Sequence, residues 1–285
     1  MSENEVMKGK TVLITGATSG IGFATAKELA RMGASVVLVG RNLEKCVSAS
    51  AQITQITGNA QVEYILADLS TRNGVQSVAQ KFLSRHSRLD VLLNNAGVFL
   101  MSREVTVDGF EMTFALNHLG YFYLTYLLLD TLKETGMSRV VNVSSDAHRG
   151  SKLDFQDLQG ESNYTGFGAY GKSKFANVLF TYELSRKLIG TQVTANALHP
   201  GFVASEFGKN NGGFLRFAMK LMKPFQKTIE QGASTSIYLA SSPSMSAVTG
   251  KYFADSKEVK SDPLTYDQSA AELLWQKSLE MLVLK

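Results

Sequence analysis

Tyr170 and Lys174 lie four residues apart in the run Ala169-Tyr170-Gly171-Lys172-Ser173-Lys174. On a helix that spacing stacks both side chains on one face. An ammonium beside a phenol favours the phenolate, so a hydroxyl with an ordinary pKa of about 10 can move toward neutrality. Such a phenol can exchange a proton with a carbonyl or an alcohol. Of the ten tyrosines only Tyr170 has lysine at +4, yet with this many lysines one such pair arises by chance. The neighbourhood must decide.

Three further stretches supply that neighbourhood. Val140-Val141-Asn142-Val143-Ser144-Ser145 reads as a strand ending in hydroxyls, and Ser145 can hydrogen-bond a substrate oxygen. Asn94-Asn95-Ala96-Gly97 is small and polar where a backbone would pass near a ligand. Asn117 falls inside a long helical pattern, where asparagine is intrinsically poor. A kinked turn holding a water explains it, as does a buried, hydrogen-bonded amide.

A second chemistry sits at the start of the chain. Val12-Leu13-Ile14 feeds Thr15-Gly16-Ala17-Thr18-Ser19-Gly20-Ile21-Gly22, which opens a helix. A strand, a glycine turn and a helix N-terminus make a phosphate site, because backbone N–H groups and the macrodipole both face the anion. Gly16 suits the tight turn, Gly20 clears space for a pyrophosphate, and Gly22 lets helix and strand pack closely. The spacing is Gly-x3-Gly-x-Gly, and glycine turns also serve as plain connections. In dinucleotide folds a carboxylate at the end of the second strand binds a ribose 2′-OH, whereas arginine there accepts a 2′-phosphate. Here Val36-Val37-Leu38-Val39 ends in Gly40-Arg41-Asn42, with no acid, so the expected cofactor is NADP(H). Asp68, after the third strand, can accept from an adenine amino group or cap the next helix.

These pieces need a scaffold. Strands are predicted at 11–15, 35–39, 62–66, 91–94, 139–144, 193–198 and 251–253. Helices are predicted at 20–32, 43–57, 72–86, 109–135, 168–189, 229–240 and 266–282. Apolar strands alternating with helices imply a parallel sheet of about seven strands covered on both faces. One α/β domain over residues 1–285 is expected. Two segments interrupt the alternation: a polar insertion at 146–167, and 202–228, which contains a basic amphipathic stretch at 212–223. Both leave strand ends on the ligand side, so both are candidates to shape a substrate cleft. The second is also a candidate for weak contact with a membrane surface.

Composition excludes several classes. Apolar content of 44% with 19% charged residues is that of a soluble globular chain. A net charge of +4 from scattered residues argues against nucleic acid. The single cysteine, Cys46, forbids an internal disulfide and fits a reducing compartment, and no secretory signal is visible at the N-terminus. A cytoplasmic location is expected. No paired ligands stand at metal spacing, so no metal site is expected.

Thr15-Gly16-x3-Gly20-x-Gly22, Asp68, Asn94-Asn95-Ala96-Gly97, Asn117, Ser145, Tyr170-x3-Lys174 and Pro200-Gly201 together resemble the short-chain dehydrogenase/reductase family, in order and nearly end to end. The resemblance implies a single-domain Rossmann fold. It makes Tyr170 the acid/base, Lys174 the residue that lowers its pKa and holds the nicotinamide ribose, Ser145 the substrate-orienting hydroxyl, and Asn117 the anchor of a relay water. It also places Gly16, Ser19, Gly20, Ile21, Gly22, Arg41, Asp68, Leu69, Asn95, Ala96, Gly97, Pro200, Gly201 and Val203 along the cofactor. Ala115-Leu116-Asn117-His118-Leu119-Gly120, Phe175-Ala176-Asn177-Val178-Leu179-Phe180 and Leu198-His199-Pro200-Gly201 are similar to the retinol dehydrogenase-like branch. That likeness implies NADPH-dependent chemistry on apolar aldehydes, ketones or alcohols, and the sequence departs from it in showing no membrane-anchoring N-terminal segment. The helices at 109–135 and 168–189 resemble those that pair subunits in this family, so a homodimer or homotetramer is an expectation, beside a monomer. Two other readings stay open: an NADP(H)-binding scaffold without turnover, and a protochlorophyllide-type reductase. His118 and His199 are read as packing and backbone-positioning residues.

Overall fold

The computed structural model describes residues 5–203 and 227–284; the amphipathic stretch at 212–223 lies outside them. Eight strands form one sheet in the order β3-β2-β1-β4-β5-β6-β7-β8. They are β1 Thr11–Thr15, β2 Ser35–Gly40, β3 Val62–Leu66, β4 Val91–Asn94, β5 Arg139–Val143, β6 Thr194–His199, β7 Lys251–Ala254 and β8 Lys257–Glu258. The first seven are parallel and β8 alone runs antiparallel, closing the edge beside β7. This is the expected α/β Rossmann sheet with one short strand more. Strand order reverses between β1 and β4, which is where such sheets open a crevice beyond their carboxyl ends.

Strand side chains alternate between two cores. Leu13, Val37, Leu92 and Val140 face one; Val12, Ile14, Val36, Leu38, Leu93 and Val141 face the other. The second face is covered by α1 Gly20–Arg31, α2 Leu43–Thr57 and α6 Ile229–Ser241. The first is covered by α3 Arg72–Leu83, α4 Gly120–Thr135, α5 Gly166–Lys187 and α7 Gln268–Leu282. Phe82, Phe122 and Phe180 are fully buried there, each removing a side chain from water that contributes about 1.5–3 kcal/mol. Trp275 of α7 lies against Phe122 and Phe180 at ring separations of 4.8 and 6.0 Å.

The predicted helix at 109–135 is not continuous. A single turn at Met112–Phe114 widens into a π-helical turn at Ala115–Leu119 before α4 begins. Such bulges occur frequently at functional sites, and Asn117 sits inside this one. The insertion at 146–167 opens with a 3-10 turn, Asp146–His148, and ends inside α5, which starts two residues earlier than its periodicity suggests because Thr165 caps it, accepting from Gly168 N–H. Among the described residues no helix is long and apolar enough to cross a membrane.

Candidate active site

Tyr170 sits on the second turn of α5, on the same side of the sheet as the end of β5. Its partly buried phenol hydrogen-bonds Ser145, the residue that follows β5 and caps the 3-10 turn. Lys174 lies one turn further on, buried, with Nζ 5.6 Å from the Tyr170 ring centroid. Two bonds run between Lys174 and the end of β5: Nζ donates to the Val143 carbonyl at 2.9 Å, and the Lys174 carbonyl accepts from Ser144 Oγ at 2.8 Å. The ammonium therefore has a fixed position.

Electrostatics here differ from the expectation of a lowered phenol pKa. Burial pushes Tyr170 up to about 12, with the Ser145 hydrogen bond pulling the other way. Burial likewise brings Lys174 down to about 7. Desolvation penalises both charged forms, and an amine that is half neutral at pH 7 exerts less of the field that would favour a phenolate. The resting site thus holds a protonated phenol ready to donate.

Asn117 is fully buried, and its amide is committed. Oδ1 accepts from Val98 N–H at 2.8 Å, while Nδ2 donates to the Val98 carbonyl at 3.0 Å and to Ser173 Oγ at 3.0 Å. Ser173 in turn donates to the Tyr170 carbonyl at 2.7 Å. The Asn117 side chain ties the segment after β4 to the helix carrying Tyr170. Gly97 lies between these groups: a Cβ there would stand 3.3 Å from Asn117 Oδ1 and 3.6 Å from Lys174 Nζ.

Across the crevice, the glycine turn is locked to β4. Thr15 Oγ accepts from both Asn95 N–H and Ala96 N–H, at 2.8 and 2.9 Å, and Asn95 Nδ2 donates to the Thr15 and Gly16 carbonyls. Asn95, expected on the cofactor, spends its amide holding the turn. Gly16 has φ +63°, and a Cβ there would fall 2.8 Å from Ala96 Cα. A Cβ on Gly22 would fall 2.5 Å from Asn95 Nδ2. Gly20 also has a positive φ, +56°. Ser19 is exposed at the head of α1 and makes no side-chain capping bond.

The remaining predicted contacts surround the same crevice. Arg41 is exposed just past β2, and Asp68 is exposed past β3 with Oδ1 accepting from Ser70 N–H and Oγ–H. Thr71, not Asp68, caps α3. Leu69 and Ala96 are buried and belong to the core on the first face of the sheet. Pro200 and Gly201 follow β6, with Gly201 at φ +88°. Val203 pairs with Lys227 and rests on Gly232 of α6, close to Ile21.

Several positioning residues carried no signal in the sequence. His148, fully buried, has Nδ1 2.7 Å from the Ser145 carbonyl, and its Nε2 accepts from Asp262 N–H at 3.0 Å, which places the proton on Nδ1. It ties the Ser145 turn to the loop after β8. Gly171 lets that turn approach α5, since a Cβ there would stand 2.8 Å from the Ala147 carbonyl. Lys45 lines a hollow of about 550 Å³ with Thr18, Ser19 and Phe23, a second cation near the glycine turn. Among the described residues no cluster of side chains could hold a metal ion.

The donor set suits a dinucleotide: a glycine turn held close against the segment after β4, a helix start that no side chain caps, and cations beyond β2. A family model described as short chain dehydrogenase matches residues 10–213. Retinol dehydrogenase 12 of Mus musculus is 46% identical over 98% of this chain and 88% of its own. Polyprenol dehydrogenase of Homo sapiens is 43% identical over 95% of this chain and 84% of its own. Among solved structures, Pseudomonas aeruginosa RhlG in an NADP active-site complex superposes with a TM-score of 0.72 at 26% identity, covering 89% of this chain and 97% of that one. With its relay pair, glycine turn and sheet order all in register, this chain belongs to the short-chain dehydrogenase/reductase family and is a nicotinamide-dependent oxidoreductase.

Proposed function

We propose that the chain is an NADP(H)-dependent reductase of apolar aldehydes or ketones, working in reverse as an alcohol dehydrogenase. The observation that carries this reading is the protonated Tyr170 phenol, bonded to Ser145 and backed by the buried Lys174 amine. When bound, the nicotinamide supplies or accepts the hydride. Ser145 and Tyr170 hold the carbonyl oxygen between two hydroxyls, and Tyr170 delivers a proton to it as charge develops. Lys174 then returns a proton to the phenolate and is itself reprotonated from solvent, as an amine titrating near neutrality can be. Asn117 acts through Ser173 and Val98, holding the relay helix and the segment after β4 at a fixed separation.

Arg41, reinforced by Lys45, supports a 2′-phosphate on the adenine side. The curated relatives are named for retinol and polyprenol, both apolar alcohols, which supports an apolar substrate here. Reduction of an aromatic aldehyde, followed by loss of NADPH absorbance, tests the reading. Tyr170→Phe should fold, bind NADPH and turn over at least a thousandfold more slowly; near-native turnover overturns the assignment.

A further inference from the structure

We infer that Phe99 and Phe167 form an aromatic clamp that sets the enzyme's preference for extended or aromatic carbonyl compounds over small ones. The inference rests on the reductase reading above and adds the residues that select the substrate. Phe167 lies in the first turn of α5, one turn before Tyr170, and is 65% exposed. Leaving a ring of that size in water forfeits a large burial contribution, which an apolar ligand would recover. Its ring stands 5.0 Å from that of Phe99, and Phe99 stands edge-on to Tyr170 at 5.7 Å. An aromatic surface therefore runs from solvent to the ring that carries the proton.

The inner half of this surface is rigid. Asn117 clasps Val98 by both its backbone groups, and Tyr164 OH donates to the Leu100 carbonyl at 3.1 Å, so Phe99 is fixed from either side. Gly166 admits the segment: a Cβ there would fall 2.7 Å from Met101 Cα. Met101, 46% exposed, extends the apolar rim. The outer half, Phe167, packs its ring on Phe99 and leaves most of its surface open to solvent. The two rings touch, so a flat or elongated apolar body lies along the exposed face of Phe167 with its carbonyl at Tyr170, and a three-carbon aldehyde is too short to reach it.

The test compares 2-naphthaldehyde with propanal, both with NADPH, in wild type and in Phe167→Ala, Phe167→Leu and Phe167→Trp. Phe167→Ala should lose about tenfold in kcat/KM for naphthaldehyde, mostly through KM, with propanal changed less than twofold. Leucine should fall between, and tryptophan should restore wild-type KM. Equal losses for both aldehydes, or none for either, overturn the clamp. Calorimetric binding of 2-naphthalenemethanol to the NADPH-saturated protein separates the two claims. Binding that weakens in Phe167→Ala while no carbonyl is reduced keeps the clamp and removes the reductase reading; binding indifferent to Phe167 removes the clamp.

Discussion

Asn117 pairs with Val98 as one strand residue pairs with another: its Oδ1 accepts the Val98 N–H at 2.8 Å and its Nδ2 donates to the Val98 carbonyl at 3.0 Å. An amide side chain presented by a π-helical turn thus stands in for a neighbouring strand just where β4 has ended and the cleft begins. Its second Nδ2 bond, to Ser173, passes the constraint to the helix of Tyr170.

Asn117→Ala strips both Val98 backbone groups and Ser173 of their partner. Leaving such groups unpaired costs about 1–3 kcal/mol each when buried, and Val98 is half-buried, so about 2–3 kcal/mol of stability should be lost. Asn117→Asp keeps the acceptor and loses the donor, and should fall between. Urea unfolding of the three proteins checks the order, and an alanine variant as stable as wild type contradicts it.

The phenol raised to about 12 and the amine lowered to about 7 make the two directions of reaction respond differently to pH. Reduction uses the protonated phenol, which is fully present from pH 6 to 9. Oxidation needs the relay to take up a proton, so with the amine titrating near 7 its kcat should climb between about pH 6 and 8 and level off above, while that of reduction, which draws on the protonated relay, shows no such climb. Lys174→Met should abolish the climb. Identical profiles for both directions would count against this assignment of the proton.

Removing Arg41 tests the coenzyme. A bidentate, charge-assisted contact with a phosphate is worth roughly 1.5–3 kcal/mol, so Arg41→Ala should weaken NADPH about ten- to a hundredfold and leave NADH unchanged. Lys45→Ala should add a smaller loss in the same direction. Fluorescence titration with both nucleotides measures it, and a wild type that prefers NADH would rule the idea out.

Acid stability follows from buried imidazoles. His118 is fully buried, and burial lowers it from about 6.5 to about 3; His148 and His199 are lowered by the same cause. The unfolded chain takes up these protons as pH falls below about 6.5, and the folded chain does not, so stability declines from there toward pH 3. His118 alone should account for about 2 kcal/mol between pH 7 and 5. Denaturant midpoints across that range should fall, and His118→Asn should flatten the slope; a flat wild-type profile speaks against the burial of these rings.

The relay pair and the glycine turn could be seen in the sequence because each is local: four residues of one helix, or eight residues spanning a strand, a turn and a helix start. The parallel sheet covered on both faces followed from the alternation of apolar runs and helical periods. What escaped notice depends on contacts between distant segments. Ser173 gains its role only when Asn117, 56 residues earlier, is brought against it, and His148 only when Asp262 closes on it. The downward shift expected for Tyr170 failed because spacing reports a neighbouring charge and says nothing of how deeply both groups are buried. Strand β8 went unseen because its hairpin turns on Asp255 and Ser256, both at positive φ without a glycine to mark them.

Thr15 closes the seam at which the strand order reverses. One hydroxyl gathers the Asn95 and Ala96 amides and lies 3.4 Å from the Leu93 carbonyl, so the floor beneath the glycine turn and the floor beneath the relay are one slab. At this seam β1 and the segment after β4 meet the crevice as one continuous floor. Loading and unloading a long, two-headed coenzyme must therefore be accomplished at its margins, and the pace of turnover should be governed by whatever borders the cleft rather than by any parting of the sheet.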